Sequence, residues 1–140
     1  MTEGLALHWR LINPRYNLVG TYCATCGQKF FPPRNICPAC RRKGKVERFK
    51  FGGIGEVHSF TVIRVPPTGF EYQKPYVVAI IRLDEGPMFT AQVVDCDPGH
   101  VSIGSRVEMV FRKVIADDDS GIIRYGYKFR LSERHRPATA

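Results

Sequence analysis

Residues 23–40 read "CATCGQKFFPPRNICPAC", two Cys-x-x-Cys pairs with ten residues between them. Zinc takes four tetrahedral ligands, and thiolate sulfurs sit about 2.3 Å from it. One Cys-x-x-Cys pair supplies two such ligands from a tight turn, so two pairs complete the shell. Gly27 follows Cys26 directly, where a knuckle of this kind turns back with a positive φ. The second pair is followed by Arg41, with no glycine before Gly44, so its turn must differ or Arg41 must accept the strain. Between the pairs, "QKFFPPRNI" has the aromatics of a short strand and the prolines of a turn. The segment therefore reads as a rubredoxin-like zinc ribbon: knuckle, strand, knuckle, strand. Its expected ligands are Cys23, Cys26, Cys37 and Cys40. Four thiolates leave no open position for water, so the zinc is structural in this reading. Iron uses the same ligand set, and the spacing does not separate the two. A thioredoxin-type redox pair would need one Cys-x-x-Cys opening a helix of a βαβ unit, and neither pair sits that way.

The chain has 140 residues, room for one domain or two small ones. Hydrophobic residues at 44% and aromatics at 11% are those of a folded globular protein. No run of eighteen apolar residues occurs, and the N-terminus lacks a basic start and an apolar signal region. The expectation is a soluble, cytoplasmic protein. Cytosolic thiols stay reduced, which argues for metal over disulfides, and five cysteines fit four ligands and one bystander. The net charge of +8 is localised: residues 29–50 carry +7, residues 1–28 carry +1, and residues 51–140 are neutral. Most of the chain thus has no net field to attract a polyanion.

After the ribbon, "KFGGIGEV" at 50–57 reads as a hinge and strand entry, since no helix follows that could complete a phosphate loop. Strands then follow with clear punctuation. "EVHSFTVIRV" alternates Val57, Ser59, Thr61 and Ile63 against His58, Phe60, Val62 and Arg64. "YVVAIIRL" is nearly all apolar and reads as central, and "DEGP" turns it into "MFTAQVV" as a hairpin. "RVEMVFRKV" and "IIRYGYKFRL" complete five strands, with Gly104 turning the chain into the fourth. Five strands with a hairpin in the middle match an OB-type Greek-key barrel. The usual helix between the third and fourth strands has no room in "DCDPGHVSIG", so a short loop replaces it. The predicted class is mainly β: an N-terminal helical segment (1–18), zinc ribbon (19–51), five-stranded OB-fold barrel (52–133) and flexible tail (134–140). In "LALHWRLI", Leu5, Trp9 and Ile12 share a helical face, with Trp9 as a packing anchor and Asn13-Pro14 as the stop.

Nothing reads as catalytic. His8, His58, His100 and His135 occupy four unrelated contexts. Cys96 lies between Asp95 and Asp97, whose charges raise its pKa and suppress the thiolate. "DDDSG" at 117–121 reads as a solvated loop joining two strands.

These segments, together with "PPTGFEYQKPYVVAIIRLDEG", "QVVDCDP", "IGSRVEMVFRKV" and "GYKFR", resemble the zinc-ribbon plus OB-fold family known as domain of unknown function 35. The resemblance covers about residues 9–131 and departs from the family pattern at Arg41, where a glycine is more usual. It implies a non-catalytic subunit of acyl-CoA enzymes. Archaeal members are implied to bridge acetoacetyl-CoA thiolase and hydroxymethylglutaryl-CoA synthase, at the entry to the mevalonate pathway, around a shared CoA site. A bridging protein needs rigid aromatic anchors, and the loop "PPTGFEYQKPY" offers Phe70, Tyr72 and Tyr76. The basic ribbon would meet an acidic enzyme surface or the phosphates of CoA. The candidate partner or CoA contacts are therefore Arg34, Arg41, Arg42, Lys43, Phe70, Tyr72, Lys74 and Tyr76.

The second reading is nucleic-acid binding, a role both modules also serve. It would stack bases on Phe60, Phe89, Tyr125, Tyr127 and Phe129 and track phosphates with Arg64, Arg82 and Arg124. The neutrality of the barrel segment weighs against it.

Overall fold

A computed structural model describes residues 4–116 and 121–132. The expected tail, His135 and most of the "DDDSG" loop lie outside the described residues.

The N-terminus forms two short helices, α1 (Leu5–Arg10) and α2 (Ile12–Asn17). The stop expected at Asn13-Pro14 does not occur there; instead Pro14 sits in the first turn of the second helix. There a missing N–H removes no intrahelical bond, so proline is tolerated. The second helix stops instead at Leu18, fully buried with a left-handed φ of 53°. The expected packing face is also corrected. Trp9 is 75% exposed and Leu5 67%, while His8 is the buried residue of α1.

Strands β1 (Val19–Cys23), β2 (Lys29–Phe30) and β3 (Val46–Lys50) make a three-stranded antiparallel sheet in the order β2-β1-β3. Five further strands close into a barrel: β4 (Ile54–Ile63), β5 (Tyr76–Leu83), β6 (Met88–Val94), β7 (Arg106–Ala116) and β8 (Ile123–Leu131). Their order, β4-β5-β6-β8-β7, has the β5–β6 hairpin in the middle and is that expected for the OB type. The β6–β7 connection holds only a 3-10 turn, Pro98–His100, and Gly104 donates its N–H to Val57 O at 2.8 Å in the turn before β7. Among the described residues no helix is long and apolar enough to cross a membrane.

The simple alternation expected for the first barrel strand fails at His58. A bulge between Val57 and Ser59 shifts the register against β5, so Val57 faces the core while Ser59 and Thr61 do not continue its face. A second shift falls between Lys113 and Ile115 of β7. Bulges bend and twist a strand locally, which long strands need to close a small barrel.

The core is filled by alternate residues: Val77, Ala79, Ile81 and Leu83 of β5, Phe89, Ala91 and Val93 of β6, with Val107 and Phe129. Leu18, Phe31 and Phe51 belong to the same cluster although they come from the ribbon side. The Phe31 ring lies 4.7 Å from Phe89, 5.5 Å from Tyr127 and 6.0 Å from Phe51. Each buried aromatic carries a large apolar surface, so ribbon and barrel share one core.

Candidate functional site

The ribbon sheet brings the cysteines together. Antiparallel pairing sets Cys23, at the end of β1, opposite Val46 at the start of β3. In the first knuckle, Gly27 donates its N–H to Cys23 O at 2.7 Å with a φ of 77°. In the second, Arg41 donates to Cys37 O at 2.8 Å, with a φ of 50°. The two knuckles thus turn alike, and Arg41 takes a conformation that costs a side-chain-bearing residue about 1–2 kcal/mol. Gly44 meets the cluster from below: a Cβ there would lie 2.9 Å from Cys40 Cβ, 3.1 Å from Cys37 Cβ and 3.3 Å from Cys23 Sγ.

The four Sγ atoms of Cys23, Cys26, Cys37 and Cys40 all lie within 4.8 Å of one another, and Cys26 and Cys37 approach to 3.6 Å. Ligands about 2.3 Å from a tetrahedral ion stand about 3.8 Å apart, so the donor set fits zinc. Without a cation the four thiols do not ionise alike. Backbone amides of the first knuckle, led by that of Cys26, lower the Cys23 thiol to about 6. The neighbouring Cys26 sulfur, together with burial, pushes Cys40 up to about 12. Four sulfurs so close ionise together only around a cation. The chemistry zinc supplies here is cross-linking: a closed shell of thiolates holds two knuckles and leaves no position for a substrate.

The candidate contacts do not form one site. Phe70 and Tyr76, rings 6.0 Å apart, are half-buried in the wall of a groove of about 540 Å3 on the barrel. Tyr72, in the 3-10 turn Glu71–Gln73, is fully exposed, and Lys74 is exposed beside it. Arg41, Arg42 and Lys43 stand exposed after the second knuckle, and Arg34 lies elsewhere on the ribbon, its guanidinium 5.4 Å from the Phe30 ring. Neither of the two main grooves is lined by both sets.

Sequence reasoning missed the polar lattice behind the barrel groove. Lys128 is buried and donates to Gln73 Oε1 at 3.1 Å, which also accepts from Gln92 Nε2 at 3.1 Å, while Gln73 Nε2 donates to Val114 O at 3.3 Å. Burial lowers the Lys128 pKa. The only sequence signal was a lysine between two aromatic residues, Tyr127 and Phe129, in the middle of the last strand.

The base-stacking set is corrected. Phe89 and Phe129 are buried in the core, and Tyr127 packs against it. Arg82 is bonded to Glu56. Only Phe60 and Tyr125 of the five aromatics are exposed, and Tyr125 is already stacked on Phe111 at 5.4 Å. Burial and the charges of Asp95 and Asp97 raise the Cys96 thiol, which disfavours the nucleophilic thiolate.

Comparison with known proteins gives two matches that together span both modules. Residues 14–47 match a ChsH2 rubredoxin-like zinc ribbon domain, and residues 50–112 match a ChsH2 C-terminal OB-fold domain. A DUF35 domain-containing scaffold protein of Methanothermobacter thermautotrophicus is 55% identical over 130 residues, covering 93% of this chain and 97% of the relative. The chain belongs to the DUF35 family. A solved DUF35 structure, described as "Ltp2-ChsH2(DUF35) aldolase", superimposes with a TM-score of 0.68 at 28% identity, over 94% of this chain and 96% of the other. A probable enoyl-CoA hydratase alpha subunit of Thermomonospora curvata is 30% identical over 115 residues, 74% of this chain but only 35% of that subunit. The matching segment thus spans nearly all of the Methanothermobacter scaffold protein but about a third of the Thermomonospora subunit.

Proposed function

We propose that this DUF35 protein is a non-catalytic scaffold joining acyl-CoA enzymes, thiolase-like on one side and hydroxymethylglutaryl-CoA synthase-like on the other. Support for a scaffold comes from the relative of that name and from the family member solved as part of an aldolase assembly. The observation that carries the reading is the distribution of exposed aromatic and aliphatic side chains. Tyr72 stands fully exposed on the barrel loop, and Leu5, Leu7 and Trp9 stand exposed on α1. They lie on separate elements, the helical segment that leads through α2 to the buried Leu18 and the loop before β5, and two separate handholds would use such a separation. Exposed large apolar groups of this kind mark interaction surfaces when they cluster.

In this reading zinc, held by Cys23, Cys26, Cys37 and Cys40, keeps the ribbon rigid. Phe70 and Tyr76, which flank the exposed Tyr72 and Lys74 in the chain, line the barrel groove. Arg41, Arg42 and Lys43 present charge to an acidic enzyme surface. Reconstitution tests the whole. The chain, mixed with purified thiolase and synthase from its own host, is run by size exclusion with light scattering. A ternary species that forms only when this chain is present supports scaffolding; two enzymes that elute alike with and without it refute it.

A further inference from the structure

The ribbon has a second groove, of about 400 Å3, on the sheet face away from the core, beneath the α1–α2 turn. Three arginines line it: Arg10 at the end of α1, Arg34 after the prolines, and Arg48 of β3. The groove's one acidic residue, Glu47, points elsewhere. Successive strand residues face opposite sides of a sheet, and Glu47 pairs across the sheet with Tyr22, whose hydroxyl donates to Glu47 Oε2 at 2.9 Å. Arg48 pairs with Thr21, on the groove side. Among the described residues no carboxylate pairs with Arg10, Arg34 or Arg48.

One arginine is held in place. The buried Thr21 hydroxyl accepts from Arg34 N–H at 3.0 Å and donates to Arg34 O at 3.2 Å, fixing that loop to β1. All three arginines line one concavity, so a multiply charged anion there can meet more than one guanidinium group at once. A single carboxylate carries too little charge to balance three cations, whereas a phosphomonoester or pyrophosphate carries about two or more and matches the guanidinium fork.

We propose that Arg10, Arg34 and Arg48 form a binding groove for the phosphate groups of a small ligand. The inference does not depend on scaffolding, because it concerns the isolated chain. Neither Arg10 nor Arg48 was apparent as a site residue from the sequence, since the three arginines come together only through the ribbon sheet and the helical turn.

The test is titration calorimetry of the zinc-loaded full chain with sodium pyrophosphate, CoA, pantetheine and hexaglutamate. Saturable binding of pyrophosphate and CoA but not pantetheine is expected. Arg10→Gln and Arg48→Gln should each weaken it roughly tenfold, the loss of one charged hydrogen-bonding group. Arg64→Gln, an exposed arginine of the barrel, should not. All three sites are exposed, and zinc content confirms that each variant is folded. CoA binding more tightly than pyrophosphate identifies a nucleotide-bearing ligand; equal affinity identifies a free phosphate. Absence of saturable phosphate binding overturns the proposal, as does equal weakening by Arg64→Gln. Hexaglutamate binding in place of pyrophosphate would make the groove an acidic-peptide site and overturn it too.

Discussion

The ring of Phe31, the residue just after the ribbon's second strand, lies 4.7 Å from the ring of Phe89 in barrel strand β6. Both are more than nine-tenths buried, and both belong to one hydrophobic cluster. Two modules that would each be marginal alone thereby share their apolar burial. Phe31→Ala should cost about 3–5 kcal/mol, the range for truncating a core aromatic. Denaturant unfolding of zinc-loaded protein checks this. A loss under about 1 kcal/mol would mean that the ribbon rests on the barrel without bonding it.

Metal removal should act on the same unit. Cys37→Ser removes a buried ligand and should release zinc, measured by atomic absorption, and lower the melting temperature. Wild-type protein that is fully folded without metal would contradict the structural role. Gly44→Ala is the subtler version, since a Cβ placed 2.9 Å from Cys40 Cβ must push the second knuckle aside. It should weaken zinc retention against a chelator while leaving all four sulfurs present.

Cys96 lies between two carboxylates, partly buried, with its thiol pKa raised. Cys96→Ala should therefore leave enzyme binding intact, while Tyr72→Ala, at a fully exposed ring, should weaken it without changing the melting temperature. Pull-down of both variants side by side decides the matter; loss of binding in Cys96→Ala alone would reverse the assignment.

Asp84 accepts two hydrogen bonds from the Arg106 guanidinium, at 2.8 and 2.7 Å, and this holds its carboxyl below the usual carboxylate range. A depressed folded pKa contributes stability above the unfolded value, about 3.9, and that stability is lost as pH falls through the folded value. Arg106→Gln should therefore lower stability by a constant small amount from neutral pH to about pH 5. The difference from wild type should shrink below that. A difference that grows with acidity would assign the effect to another group.

Legibility in the sequence followed how local each feature is. The knuckles, the β5–β6 hairpin and the turn at Gly104 are set by residues adjacent in the chain, and all three were readable. Pro14 was misread because its meaning depends on where the second helix starts, which Leu11 decides by leaving helical geometry. Trp9 was misread because the helical face containing His8, not the more hydrophobic one, turns inward. The bulge at His58 has no residue signature, since barrel closure and not propensity demands it. Gly44 under the cysteines and the meeting of Arg10, Arg34 and Arg48 are tertiary facts, visible only once the sheet is paired.

The most direct test of scaffolding is purification of the tagged chain from its native host at moderate salt, read by mass spectrometry and by absorbance at 260 and 280 nm. Scaffolding predicts stoichiometric thiolase-like and synthase-like subunits with little nucleic acid. Salt-sensitive nucleic acid without those enzymes would contradict it.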